Sequence, residues 1–118
     1  DEPIEVWGDG SVVRDFVHVR DLADLTALAL ERPINGCFNA GSGTGASVRE
    51  IVELTGRVTG RALTPVHKPG RGFDVPRVVL DIDRIRAATG WTPSIGLEEG
   101  MRDAWSWICH HKHVSAAA

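Results

Sequence analysis

Two short segments of the sequence contain arginines whose surroundings suit the binding of an anion. Arg14 opens the run RDFVHV (residues 14–19), and Arg71 lies in the run GRGFDVPR (residues 70–77), with Lys68 and Arg77 close by. Glycines allow backbone to approach a ligand closely, and a guanidinium presents a planar fork to phosphate oxygens. Each charge-assisted bond could contribute about 1.5–3 kcal/mol in a partly dry cleft. Such a set of cations predicts a diphosphate site.

Three neighbouring residues are further candidates for ligand contact. Asp74 would repel phosphate, but its carboxylate could accept hydrogen bonds from sugar or ribose hydroxyls, or orient Arg71. Phe73 and Val78 could form apolar walls for a base or sugar, and burial in the core is an equal alternative for both. These residues complete the predicted substrate site.

A purely structural interpretation of the same residues stays open. In it, Arg14 pairs with Asp15 or Asp74, and the remaining arginines lie solvated on the surface, where ion pairs contribute little. Charge and periodicity alone do not decide between this interpretation and a diphosphate site.

The elements that must position these residues are those of an α/β fold with about four helices and several short strands. Strands are predicted over 4–7, 13–19, 37–40, 63–66 and 77–80. The first helix is predicted from an Asp21 N-cap to about Arg32, with Pro33 as its stop, and the second from the capping box Ser47–Glu50 to Gly56 or Gly60. A third is predicted from 82 to about 89, between Asp81 as its N-cap and Gly90 as its stop, and a fourth from about Leu97 onwards. Trp91 and Trp105 are expected in the core.

A glycine loop over residues 41–46 fits the pattern GxGxxA, follows a predicted strand and precedes a predicted helix. This arrangement is typical of a dinucleotide fingerprint, whose backbone holds a pyrophosphate. The fingerprint also requires an acidic residue about 20 positions further on, and residues 61–66 contain no Asp or Glu. We therefore interpret the loop as a strand-to-helix turn.

Composition excludes several classes of protein. With 42% hydrophobic and 25% charged residues, the chain matches an ordinary globular domain. A net charge of −3 gives no overall attraction to nucleic acid or to an anionic membrane. The sequence opens on no signal-like segment and holds no apolar run of about 20 residues. We expect a cytoplasmic location with no nucleic-acid or membrane partner.

The C-terminal end carries a small cluster of metal-ligating residue types, namely Cys109, His110, His111 and His113. Adjacent residues on a helix point in different directions, and the tail over about 110–118 is expected to fray. No metal site is predicted.

Four segments, taken in order, resemble a known family. They are RDFVHVRDLADL (14–25), CFNAGSGTGASVREI (37–51), PGRGFDVPRVVLDIDRIRAATGW (69–91) and LEEGMRDAWSW (97–107). Together they resemble the C-terminal part of extended short-chain dehydrogenase/reductases, and most closely the NAD-dependent nucleotide-sugar epimerases of the UDP-glucose 4-epimerase type. The resemblance covers about residues 4–108.

The resemblance implies roles for particular residues. It places Arg14 and Arg71 on the nucleotide diphosphate, favouring a UDP-sugar, and Asp74 on the ribose or adjoining hydroxyls. Family members bind NAD at an N-terminal TGxxGxxG turn and transfer a proton and hydride with a Tyr-x-x-x-Lys pair. This chain has no tyrosine, so we expect it to be inactive alone, with NAD bound in the intact parent and not strongly here. Phe73 before the aspartate departs from the more usual Arg-x-Gly-Asp arrangement.

Related alternatives are a sugar-nucleotide dehydratase or reductase of the same superfamily, and a stand-alone nucleotide-binding or interaction module. The resemblance also implies that residues 1–118 form one C-terminal substrate-binding portion, of which about 1–46 pack on a Rossmann domain. Unpaired strand edges and uncovered apolar faces seek partners. We therefore expect the separate chain to form a homo-oligomer or a swapped assembly.

Overall fold

The computed structural model describes residues 3–32 and 34–112. These residues form an α/β structure with four helices and four short strands, as predicted. In chain order the elements are β1 (Glu5–Trp7), β2 (Val13–Asp15), α1 (Val19–Glu31), β3 (Gly45–Ser47), α2 (Val48–Thr59), β4 (Val66–Lys68), α3 (Asp83–Thr89) and α4 (Leu97–Lys112).

The strands pair in two small sheets. β1 and β4 are parallel, with Trp7 opposite Lys68. β2 and β3 are antiparallel, with Arg14 opposite Ala46. The segment after residue 75 joins β2 through a single parallel bridge between Val13 and Arg77. This bridge brings the two predicted ligand-binding segments side by side.

Three helices begin close to the predicted positions, and two of them, α2 and α3, end at a predicted glycine. The predicted Asp81 N-cap of α3 is wrong by one residue: Ile82 is the N-cap, and Asp81 Oδ1 accepts a bond from the Asp83 amide at 2.9 Å. Ser47 accepts a hydrogen bond from the Glu50 amide while the Glu50 carboxylate accepts one from the Ser47 amide, which confirms the capping box of α2. Gly60 and Gly90 end α2 and α3 in the left-handed conformation that glycine adopts without strain. α4 begins at the predicted Leu97.

The predicted N-cap of α1 is wrong. His18 is the N-cap, and its Nδ1 accepts a bond from the Arg20 amide at 3.3 Å. Asp21 lies in the first turn of the helix, where its carboxylate accepts bonds from the amides of Ser94 and Ile95 at 3.0 and 3.1 Å and from the Ser94 hydroxyl at 2.9 Å. A tertiary partner therefore takes the carboxylate that the local pattern assigned to capping.

Several predicted strands are shorter than expected or absent within the described residues. β2 ends at Asp15, because the chain turns there towards the His18 cap. Residues 37–40 form no strand; Phe38 and Ala40 pack on the core instead. Of residues 77–80, only Arg77 forms a bridge, since the Leu80 amide donates to the Asp15 carboxylate. β4 begins at Val66, at the end of the predicted 63–66 segment.

The largest buried cluster lies between α1, α3 and the residues that follow α3. It is built from Leu25, Ile85 and Trp91, and the indole of Trp91 donates to the Asp21 carbonyl at 3.1 Å. Trp105, on α4, is only half-buried. The molecule is flat, with extents of 46 × 39 × 17 Å. It therefore has a thin core for its length.

No helix among the described residues is long and apolar enough to cross a membrane. α4 continues to Lys112, beyond the start of the predicted tail. Pro33 and residues 113–118, including His113, lie outside the described residues. Within the described ranges, no three His, Cys, Asp or Glu side chains are grouped to hold a metal ion.

Candidate functional site

Arg14 is half-buried on β2 and connects this strand to the second predicted ligand-binding segment. Its Nη1 donates to the carbonyls of Val13 and Val75, each at 2.8 Å. The alternative in which Arg14 pairs with Asp15 or Asp74 is wrong for the described residues, whose ion pairs involve other groups. Arg14 thus fixes the backbone next to Asp74 and has further guanidinium N–H groups for a ligand.

The residues between β4 and the bridge at Arg77 form an exposed loop, here called the site loop (residues 69–76). At its start, the amide of Gly8 donates to the carbonyl of Lys68 at 2.9 Å. At its end, the amide of Val13 donates to the carbonyl of Pro76, also at 2.9 Å. The site loop is therefore fastened at both ends to the strands that carry Trp7 and Arg14.

Within the site loop, Arg71 and Asp74 belong to one turn, since the Asp74 amide donates to the Arg71 carbonyl at 3.2 Å. The Arg71 guanidinium lies over the indole ring of Trp7, 4.4 Å from the ring centroid. Among the described residues it forms no hydrogen bond or ion pair with protein. Its N–H donors therefore have no protein acceptor among the described residues.

The two apolar candidates, Phe73 and Val78, are 80% and 38% exposed. The alternative in which they are core residues is therefore wrong. Both lie in the segment that runs past β2, where the Val78 amide donates to the Val13 carbonyl at 3.0 Å. Their exposure leaves apolar surface next to the two arginines.

The other two predicted cations, Lys68 and Arg77, differ in whether they are paired with a carboxylate. Lys68 is paired with Glu5, with 3.1 Å between Nζ and Oε1. Arg77 is exposed at the bridge opposite Val13. The bonds from Arg14 to the Val75 carbonyl and from the Val78 amide to the Val13 carbonyl thus join the segment around Asp74 to β2, while Arg71 lies on Trp7.

The glycine loop over 41–46 is already occupied by a protein carboxylate. Asp15 Oδ1 accepts bonds from the Ser42 amide at 2.7 Å and from its hydroxyl at 2.6 Å, and Oδ2 accepts from the amides of Gly43 and Leu80, both at 3.1 Å. Burial would raise the pKa of Asp15, but these bonds outweigh burial and lower it. The amides that a pyrophosphate would need are not free.

A cavity of about 880 Å³ lies between the Gly8–Gly10 turn, α2 and the residues before β4. None of the five predicted site residues lines it. Its lining is mostly apolar, with Val52, Leu63 and Pro65 as examples. Arg49 and Arg57 also line it. We place the candidate site at the site loop, because the residues that the resemblance assigns to the nucleotide are there and not in the cavity.

Sequence reasoning missed two residues that organise the site. The Arg71 guanidinium packs on the ring of Trp7. The sequence feature that could have indicated Trp7 is an aromatic residue at the end of a predicted strand, directly before a glycine turn. Asp15 holds the glycine loop and the Leu80 amide together; nothing in its local pattern distinguishes it from a surface carboxylate.

The model of the GDP-mannose 4,6 dehydratase family matches residues 1–104. This chain belongs to that family. It is 40% identical to the UDP-glucose 4-epimerase of Streptomyces lividans, a match that covers 93% of this chain and 36% of the relative. The chain spans about a third of the length of the curated relatives it matches.

Solved structures of family members agree with this assignment. The UDP-glucose 4-epimerase of Thermotoga maritima, solved with UDP-glucose, has a TM-score of 0.86 at 36% identity and covers 92% of this chain and 35% of its own. The Thermus thermophilus UDP-glucose 4-epimerase, solved with NAD, has a TM-score of 0.77 at 35% identity, covering 85% and 33%. The match falls on the C-terminal part of these structures, which confirms the predicted resemblance.

Proposed function

We propose that this chain is the nucleotide-sugar-binding part of an NAD-dependent epimerase of the UDP-glucose 4-epimerase type. The observation that carries the proposal is the site loop, which Arg14 binds at the Val75 carbonyl and which itself contains Arg71, whose guanidinium lies over Trp7 and has no anionic partner among the described residues. The epimerase from Thermotoga maritima, which was solved with UDP-glucose, supports a UDP-sugar as the ligand.

In this proposal, Arg14 and Arg71 bind the diphosphate and Asp74 accepts hydrogen bonds from ribose or sugar hydroxyls. Phe73 and Val78 contact the apolar face of the base or sugar. Binding energy from the nucleotide, remote from the reacting carbon, then fixes the approach of the sugar to the catalytic groups. The role of these residues is to position the substrate.

The cofactor does not fit the described residues of this chain. The glycine loop gives two amides to Asp15, and the chain supplies no tyrosine. We therefore place NAD and the proton- and hydride-transferring groups in the rest of a longer protein, and we propose that these 118 residues are inactive alone.

Two alternative functions can be tested against this proposal. The matching family model, described as GDP-mannose 4,6 dehydratase, favours a dehydratase or reductase acting on a nucleotide sugar as the second candidate. A stand-alone nucleotide-binding or interaction module would share the site loop but not the reaction. Both retain the cationic site.

We further propose that the chain packs on a Rossmann domain through about residues 1–46 and that the separate chain associates with copies of itself. Its radius of gyration of 16.9 Å exceeds the roughly 13.5 Å of a compact domain of this length. Its accessible surface of 8205 Å² exceeds the roughly 6,300 Å² expected. Val19 and Leu30 on α1 are among the exposed apolar residues. Light scattering after size exclusion should show an oligomer; a compact, stable monomer would contradict this.

Calorimetric titration of the chain with UDP tests the binding function. Arg71→Ala should weaken binding about 10- to 100-fold, because one charge-assisted contact is lost. Arg84→Ala is a matched control, since the Arg84 guanidinium also lies over an aromatic ring, 4.7 Å from the centroid of Phe38, outside the site. Equal affinity of Arg71→Ala and the parent chain would overturn the diphosphate assignment.

A further inference from the structure

Trp7 is held in a fixed place at the entrance of the site loop. It ends β1, where it lies opposite Lys68 in the parallel ladder with β4. The ion pair between Lys68 and Glu5, at 3.1 Å, links the same two strands. Trp7 nevertheless leaves 45% of its surface exposed. A large aromatic ring is therefore presented to solvent by a hydrogen-bonded strand.

The ring and the site loop meet where the loop crosses the turn that follows β1. Gly70 passes this turn at ordinary contact distance, since a Cβ on Gly70 would lie 3.6 Å from the Gly8 Cα. Gly8 has a φ of 75°, a conformation that side-chain-bearing residues rarely adopt. This crossing delivers the next residue, Arg71, onto the face of the Trp7 ring at 4.4 Å.

The kind of contact matters for what Arg71 can still do. A carboxylate partner would neutralise the guanidinium and use its N–H donors. A ring face attracts the cation through its quadrupole and uses none of them. The contact with Trp7 therefore limits the directions that a long, flexible side chain samples, while its charge and donors stay available to an anion.

We propose that Trp7 is a positioning residue that pre-organises the Arg71 guanidinium for a nucleotide diphosphate. The inference rests on the proposed function, since it deepens the role of the same site. Pre-organisation reduces the conformational entropy lost on binding. Removing the ring should weaken UDP binding about 2- to 5-fold, the range that corresponds to an exposed cation–π contact.

A double-mutant cycle separates positioning from direct contact. UDP affinity is measured for the parent chain, Trp7→Leu, Arg71→Ala and the double variant, with Trp7→Phe as the variant that keeps a ring. We expect Trp7→Leu to lose 2- to 5-fold, Trp7→Phe to retain most of the affinity, and Trp7→Leu to have no further effect once Arg71 is alanine. An equal loss in both backgrounds would show that Trp7 acts without Arg71 and would overturn the inference.

A second readout reports on the pair without any ligand. The Nε–H resonance of Arg71 should be shifted upfield by the ring current of Trp7, and the shift should vanish in Trp7→Leu while the far-ultraviolet dichroism stays unchanged. If Arg71→Ala weakens UDP binding and Trp7→Leu does not, the inference about Trp7 is wrong, while the proposed function stands. If the parent chain binds no UDP at millimolar concentration, the proposed function fails and the inference with it.

Discussion

Two regions of this molecule differ in how the polar groups of their loops are hydrogen-bonded. Around Asp15 and Asp21, buried or half-buried carboxylates accept bonds from the amides of distant segments. In the site loop, bonds hold the two ends, while Arg71 and Phe73 in the middle face solvent. The difference shows which loops belong to the scaffold and which loop is available to a ligand.

The charged groups of the two regions have different roles. Asp15 and Asp21 have protein donors for their carboxylates, and their negative charge is used within the fold. Arg71 has a ring and no anionic partner among the described residues. A charge left without a counter-charge beside exposed apolar surface is a feature expected of a binding site.

The largest expected effect comes from breaking the scaffold at Asp21, which is 2% exposed. Asp21→Ala removes a buried carboxylate that accepts part-buried bonds from the amides of Ser94 and Ile95, and hydrogen bonds to a charged group contribute about 1.5–3 kcal/mol each. We expect the free energy of unfolding in urea to fall by about 3 kcal/mol. Asp24→Ala, at an exposed position of the same helix, is the control and should change stability by less than about 0.5 kcal/mol. Equal effects of the two would refute the role of Asp21.

A smaller effect on stability is expected when a glycine of each region is replaced by alanine. A Cβ on Gly45 would lie 2.5 Å from Val13 Cγ1 and 2.6 Å from Val79 Cγ2, whereas a Cβ on Gly72 in the site loop would meet nothing within 4 Å. We expect Gly45→Ala to destabilise the fold by about 1–3 kcal/mol, and Gly72→Ala to be tolerated. Thermal unfolding of both variants checks this; a stable Gly45→Ala would show that β2 and β3 are loosely packed.

A third effect concerns acid. Burial opposes ionisation of Asp15 and Asp21, but amide and hydroxyl donors outweigh it and lower the pKa of both below the ordinary value of 3.8. As pH falls, these carboxylates bind protons in the unfolded chain before they do in the folded chain. Their contribution to the free energy of unfolding is therefore fully present above about pH 4 and is lost as pH falls through the lowered pKa values. In Asp15→Asn, the free energy of unfolding measured with urea should fall less steeply between pH 5 and 2.5 than it does in the parent chain. An unchanged slope in Asp15→Asn would contradict this role of Asp15.

The fold was predictable where local chemistry decides it. The capping box at Ser47, the glycine stops at 60 and 90, and the apolar spacing of α4 all act within one or two turns. The misassigned Asp21 shows the limit, since its carboxylate bonds to residues more than 70 positions away. Residues 37–40 looked like a strand because they are apolar, but within the described chain no strand pairs with them.

The candidate site was predictable in its residue types but not in its geometry. Arginines beside glycines indicated an anion site, and the family resemblance assigned Arg14, Arg71 and Asp74. The contact between Arg71 and Trp7 depends on a parallel pairing of strands 61 positions apart, which no local pattern encodes. The same is true of Asp15, whose partners come from two separate segments.

The central claim is tested most directly by amide hydrogen exchange of the chain with and without UDP. We predict slower exchange in the site loop, at residues 70–75, when UDP is bound. The Ser42 and Gly43 amides, already bonded to Asp15, should exchange slowly in both states. Protection that appears instead at the glycine loop, or an exchange pattern that UDP leaves unchanged, would contradict the account.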